Sequence, residues 1–420
     1  MFERAYRQRL EADLARWQAE GVIAPAVRDA IRRTLGPLPK GVDIATVVGL
    51  VGGLLIAAAF LAFIAANWTA IPRPARFAIL LAGIAASYGI GAWFSQNGRT
   101  FLADSAVAVG SIIFGAAIAL VGQMYHIAGD FAGGMLLWAG GALVAAVLTG
   151  SRGALAVALT VGCIWSGARV YDDAVVPHLP FVAFWLIAVL LALSWDSVVA
   201  RHLVAVAAIY WWILTGLGLI DRQALHDPGA VTAVGGCLLL GVGLALASIG
   251  PPTLRAFGLT LSHYGALAFA IALALVIARP YGSTVRGVPA WVLACGGAGV
   301  ILAFVSAAIE RRWAPAFAGV AIVLGIAAAG FARPTGSAEP WFAYALALVS
   351  MLALVVSGML DDARPRLVAG WIGLACVIMA ITWAVKGSLL RRSLFLAVAG
   401  IVAIALASML NRLVPKEAVR

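Results

Sequence analysis

From about Val42 to Leu410 the chain is a succession of apolar stretches, each about 16 to 25 residues long and separated by short segments that hold Arg, Asp, Pro and Gly. About 20 apolar residues in a helix cross a hydrocarbon core of roughly 30 Å, so this spacing is that of repeated membrane crossings. Runs such as Leu50 to Ala66 carry no charge and are apolar on every side. Strands of a membrane barrel would instead alternate apolar and polar residues over about 10 positions. A helix satisfies its own backbone hydrogen bonds in lipid. The pattern therefore predicts an all-α, polytopic integral membrane protein. A water-soluble fold is excluded by a composition of 63% hydrophobic and 11% charged residues, against about 25% charged in soluble domains.

Fourteen spans are expected, at roughly 42–66, 77–94, 105–125, 134–150, 153–168, 180–195, 203–220, 230–249, 257–278, 290–309, 315–331, 341–359, 367–384 and 393–411, with 153–168 the least marked. They form a transmembrane domain over 41–412, followed by a short tail at 413–420. Residues 1–40 are the one segment suited to water. Phe2, Tyr6, Leu10, Leu14 and Trp17 recur at helical spacing, Gly21 stops the first helix, and Pro25 opens a second with Val27, Ala30 and Ile31 on one stripe. A helical hairpin is expected there, either resting on anionic lipid through Arg28, Arg32 and Arg33 or docking a protein partner or a second copy. Two short helices lack the third that a DNA-reading helix-turn-helix needs, so nucleic acid is not an expected partner.

The 29 basic residues, all but three of them Arg, give a formal charge of +11 and are spread over many loops, which suits phosphatidyl headgroups. With so much Ala and Gly, this usage suggests a GC-rich bacterial genome. About 40 largely polar residues with five acids precede the first apolar run, so no secretory signal is expected and that run serves as an anchor. A cytoplasmic N-terminus places 19 Lys and Arg inside and 10 outside, which follows the positive-inside rule. The eight basic residues before Val42 supply most of that bias. The expected location is the bacterial inner membrane, with both ends cytoplasmic.

Cys163, Cys237, Cys295 and Cys376 sit in separate apolar stretches without metal-ligand spacing and read as small buried hydrophobes. Phosphate-loop, zinc-hydrolase, nucleophile-elbow and dinucleotide signatures are absent from the sequence, so neither an enzyme nor a cofactor or metal site is expected. Small residues such as Gly235, Gly236, Gly241 and Gly243 predict close helix packing.

Polar residues within or beside the spans are the candidate functional groups, because charge in lipid is costly and is kept where it works. Gln123, His126 and Asp130 share one helical face if the third span continues that far, with Tyr125 between them, and a His beside an Asp could carry protons near neutral pH. The alternative is a loop at Gly129-Asp130, with Asp130 capping the next helix. Asn67 closes the first span beside Trp68, and His263 lies well inside a span between Ser262 and Tyr264.

Several of these stretches together resemble a bacterial membrane-protein family, domain of unknown function 2157. They are the hairpin with Trp17-Gln18-Ala19-Glu20-Gly21-Val22-Ile23; Ala65-Ala66-Asn67-Trp68-Thr69-Ala70-Ile71-Pro72; Phe114 through Ile127; and Trp138. The resemblance spans roughly residues 5 to 150, with a similar pattern in the helix pair around Trp371 to Leu410. It implies a multi-spanning envelope protein and no established activity. Two functions remain expectations: a secondary transporter or permease with Gln123, His126 and His263 along a polar cavity, or a noncatalytic scaffold or sensor that recruits a partner through residues 1–40.

Overall fold

A computed structural model describes residues 2–35, 71–126, 129–172, 175–221, 228–278, 288–331 and 341–384, with isolated positions between them. Every regular element among these residues is a helix. They are α1 (Phe2–Ala19), α2 (Pro25–Leu35), α3 (Arg73–Gln96), α4 (Thr100–Tyr125), α5 (Phe131–Thr149), α6 (Arg152–Tyr171), α7 (Leu179–Ser194), α8 (Val198–Asp221), α9 (Pro228–Ile249), α10 (Pro252–Ala278), α11 (Ala290–Glu310), α12 (Trp313–Phe331), α13 (Trp341–Leu360) and α14 (Arg364–Ala384). Among the described residues, eleven helices are long and apolar enough to cross a membrane, and α7 is a shorter apolar helix. The chain is thus an all-α multi-pass membrane protein. The expected spans 42–66 and 393–411 lie outside the described residues, apart from isolated helical positions. The faint span at 153–168 is a full helix, α6, begun by Ser151, whose Oγ accepts from the Ala154 amide at 3.2 Å.

Two compact units divide the chain, Met1–Ile113 and Phe114–Arg420. In the first, α1 and α2 form the hairpin. Glu11 receives hydrogen bonds from the Arg32 guanidinium, whose Nε lies 2.9 Å from Oε2, and Arg28 donates to Gln18 at 2.6 Å. The bond from Arg32 holds the Glu11 carboxyl below the usual carboxylate range. Both partners are exposed, so the pair sets geometry more than it adds stability. Leu14 is buried, while Trp17, Val22 and Val27 remain exposed. Later in this unit, Gly91 of α3 lies against Val107, and Gly110 against Tyr88.

The second unit is organised around α9 and α10, which run antiparallel with their backbones nearly touching. A Cβ at Gly243 would lie 2.4 Å from the Ser262 nitrogen, and one at Gly236 would lie 2.5 Å from the Phe269 nitrogen. Lipid gives apolar side chains no reason to leave it, so helices associate through close contact, and glycine faces make that contact possible. Gly299 of α11 reaches the Cys237 carbonyl in the same way. The hydroxyls of Ser350 and Ser357 on α13 each donate at 2.7 Å to α12, to the Ala321 and Ala314 carbonyls. Gly358 and Gly370 then bring α13 against Leu367 and Val355 in the antiparallel pair α13–α14. Phe269, Leu273, Ile322, Met351 and Leu354 fill the centre of this bundle.

Candidate functional site

Three hairpins of the second unit end in very short turns, at residues 250–251, 311–312 and 361–363. The helix ends beside these turns enclose a cavity of about 670 Å³ at one end of the bundle, lined by residues of α9 to α12 and α14 and by the last two of the turns. Among the described residues from α9 to α14, every Asp, Glu, Lys and Arg except Arg311 lines it. Arg255, Arg312, Arg364 and Arg366 line it with Glu310, Asp361 and Asp362, and His263 forms its inner wall. His263 stands eleven residues after the first residue of α10, a rise of about 16 Å, or half of a roughly 30 Å core. Its Nε2 is buried and has no hydrogen-bond partner in the protein.

Arg366 anchors the cavity. It lies in the first turn of α14 yet is 0% exposed. Its Nη1 donates to Asp361 Oδ2 at 2.9 Å and to Ser357 Oγ at 3.1 Å. Ser357 in turn donates to the Ala314 carbonyl, so a single chain of hydrogen bonds ties α12, α13 and α14 together. On its other side Asp361 Oδ1 lies 3.0 Å from Arg312 Nη2. A carboxylate just beyond the C-terminus of α13 meets the unfavourable end of that helix's dipole; the two arginines offset this, and the N-terminus of α14 favours the same charge. Arg255 Nε donates to the Ala247 carbonyl at 3.1 Å, the favourable placement of a cation at the C-terminal turn of α9. Arg366 keeps two donors, Nε and Nη2, without a partner in the protein. A buried donor left unmatched costs about 1–3 kcal/mol, so this edge is a costly feature to maintain.

A second cavity, of about 510 Å³, is apolar and aromatic, lined by Trp185, Trp211, Trp212 and Trp291 with Phe181, Leu239 and Cys295 among others. Trp212 and Trp291 stack with centroids 6.2 Å apart. Trp185 Nε1 donates to the Val204 carbonyl at 2.8 Å, and Trp211 Nε1 to the His178 carbonyl at 3.0 Å. The imidazole of His178, just before α7, is buried edge-on to Trp165 at 4.6 Å, with Nδ1 3.0 Å from Ser166 Oγ. Burial, and then repulsion from Arg169, lowers its pKa from the ordinary histidine value.

Of the residues that the sequence singled out, only His263 lines the charged cavity. Gln123 and Tyr125 are exposed in the last turn of α4. His126 follows with φ of 51°, a left-handed position that ends the helix, so the face through Gln123 and His126 is not carried on to Asp130. Asp130 stands directly before α5, extended and making no side-chain cap hydrogen bond, and its carboxylate pairs with Arg169 at 2.9 Å. Asn67 lies outside the described residues. Among the described residues, no group of three or more His, Cys, Asp or Glu could hold a metal ion.

The family model described as a predicted membrane protein, DUF2157, matches residues 15–155. That stretch runs from the C-terminal part of α1, within the N-terminal hairpin, into the start of α6, so Gln123 to Asp130 fall within it and both cavities lie beyond it. No curated protein and no solved structure matches the chain.

Proposed function

We propose that the chain is a secondary transporter or permease, a membrane carrier that takes its solute at the charged cavity of the second unit. The observation that carries this reading is the cavity's reach. Its charged mouth lies at the turns 311–312 and 361–363 and the helix ends beside them, and its wall extends to His263, about half-way through the hydrophobic thickness. A volume of about 670 Å³ falls within the roughly 300–1,000 Å³ of small-molecule sites. An ionisable side chain such as His263 at that depth is costly in lipid and is tolerated where it faces water or a solute. In a bacterial inner membrane with both termini cytoplasmic, the mouth opens to the cytoplasm. The role given to Gln123 and His126 passes to His263 and the arginines, and the reading involves no catalytic step.

Water access tests it. In a chain with its four cysteines replaced, Leu259→Cys and Ala363→Cys should react with a membrane-impermeant maleimide from the cytoplasmic side, with Leu259→Cys changing reactivity when the carrier turns over. Labelling of Ala363→Cys alone, with Leu259→Cys inert from both sides, would mean a shallow surface dimple and end the carrier reading.

A second reading, a scaffold or sensor, is favoured by the hairpin, which presents Trp17, Val22 and Val27 beside charged residues. Deleting residues 1–36 should then dissolve a dimer or a complex that the whole chain forms in detergent. An unchanged oligomeric state would leave the hairpin as a surface-resting element.

A further inference from the structure

Arg366 points to the chemistry of the ligand. With Nη1 committed to Asp361 and Ser357, the remaining edge of its guanidinium, Nε and Nη2, carries two parallel donors on a fully buried side chain that lines the cavity. This edge matches the spacing of two oxygens on a carboxylate or a phosphate. A cation or an apolar group has no lone pairs to offer it. The rest of the cavity agrees: Arg364 and Arg366 sit in the first turn of α14, a helix of 21 residues whose free amides and dipole favour an anion. Arg255 adds a further positive charge. Two of the three acids that line the cavity are already engaged, Asp361 by Arg366 and Arg312, and Glu310 by Arg312 at 3.8 Å; the third, Asp362, is exposed to solvent, and the four arginines outnumber the three acids.

We infer that the charged cavity binds a small anion, held by a carboxylate or phosphate group on the Nε–Nη2 edge of Arg366. A free solute and a phospholipid headgroup both present this chemistry. The inference rests on the cavity being the ligand site and names the class of ligand it takes.

The test uses the full chain in phosphatidylcholine nanodiscs, with thermal unfolding followed while sodium phosphate or sodium acetate is added against sodium chloride of equal ionic strength. Wild type should show a saturable rise in melting temperature with phosphate or acetate and none with chloride. Arg366→Lys keeps the charge beside Asp361 but loses the fork, and it should raise the apparent Kd at least about tenfold, which is roughly 1.4 kcal/mol. A second arm exchanges phosphatidylcholine for phosphatidylglycerol. If the headgroup is the occupant, wild type becomes more stable without added phosphate and no longer responds to it, and Arg366→Lys loses that gain. A wild type indifferent to anions in both arms overturns the inference, leaving water as the partner of Arg366. Equal responses in wild type and Arg366→Lys overturn it too, by placing the anion elsewhere. Should Arg366→Lys fail to fold, the exposed pair Arg255→Gln/Arg364→Gln must weaken the response severalfold; an unchanged response is a refutation. Anion binding without flux across vesicles would remove the carrier reading and leave this inference standing. No binding would remove this inference and leave a carrier of uncharged solutes.

Discussion

The charged cavity and the tryptophan cavity lie on opposite faces of α9, and they are made in opposite ways. Leu238 and Leu239 face the aromatic one, and Leu244, Ala247 and Ser248 the charged one; at about 100° per residue these sets point nearly half a turn apart. The aromatic cavity is built from side chains in or beside the spans, and two of its indoles are satisfied locally by a carbonyl, Trp185 by Val204 and Trp211 by His178. The charged one is built from helix ends and two turns distant in sequence, and its central arginine is satisfied on one edge only. A lipid-facing bundle can therefore obtain an apolar pocket from packing alone. A charged pocket at the ends of the helices requires a network, and the network binds the helices that supply it.

The sharpest way to break this comparison is to remove one charge. Asp361→Asn leaves Arg366 buried beside a neutral group, and breaking a buried pair from one side costs about 3–5 kcal/mol. The apparent melting temperature in detergent should fall further than with Trp291→Leu, which loosens the aromatic wall but strands no charge. The double variant Asp361→Asn/Arg366→Met should recover much of the loss, because removing both partners also removes the unpaired charge. A double variant as unstable as Asp361→Asn would show that the ion pair is not what holds α13 to α14.

An intermediate effect is expected at the aromatic cavity from pH. His178 has its pKa lowered by burial and by Arg169, so the unfolded chain binds the proton more readily than the folded one. Its contribution is fully present above the unfolded pKa of about 6.5. It should be lost as pH falls through the lowered folded value. Melting curves from pH 8 to 5 should show this decline in wild type, and His178→Gln, which can still meet Ser166, should lack it. A decline of equal size in His178→Gln would assign the titration to another group.

How far the sequence could be read follows the same division. Apolar runs predicted the helices, including the faint α6, because a span must be long and uncharged wherever it sits. His263 stood out as an ionisable residue inside such a run. Gln123, His126 and Asp130 were grouped by helical periodicity, and that periodicity ends where His126 turns left-handed, a backbone event with no marker as plain as a glycine. Arg366, Asp361, Arg312 and Arg255 were overlooked because each stands in or beside a turn, where charge between spans is ordinary. One signal was available: Asp361-Asp362-Ala363-Arg364-Pro365-Arg366 is a dense charged run, more than a three-residue turn needs. That its arginine points inward is decided by the approach of α12 and α13, which no local pattern encodes.

The smallest effect tests the wall of the charged cavity rather than its charge. Arg311 closes α11 with φ of 53°, a left-handed position, and stands outside the set of residues that line the charged cavity. An L-residue with a Cβ pays about 1–2 kcal/mol for that conformation, and glycine avoids the cost while losing about 0.5–1 kcal/mol through the greater freedom of its unfolded chain. Arg311→Gly should therefore be neutral to slightly stabilising, by up to about 1 kcal/mol, with anion binding unchanged. Asp362, also left-handed with φ of 49°, should gain less from glycine, because a short polar side chain tolerates the region better. If Arg311→Gly instead destabilises the protein while Asp362→Gly does not, the Arg311 side chain contributes to the cavity rim, and the charged network extends one residue beyond the set described above.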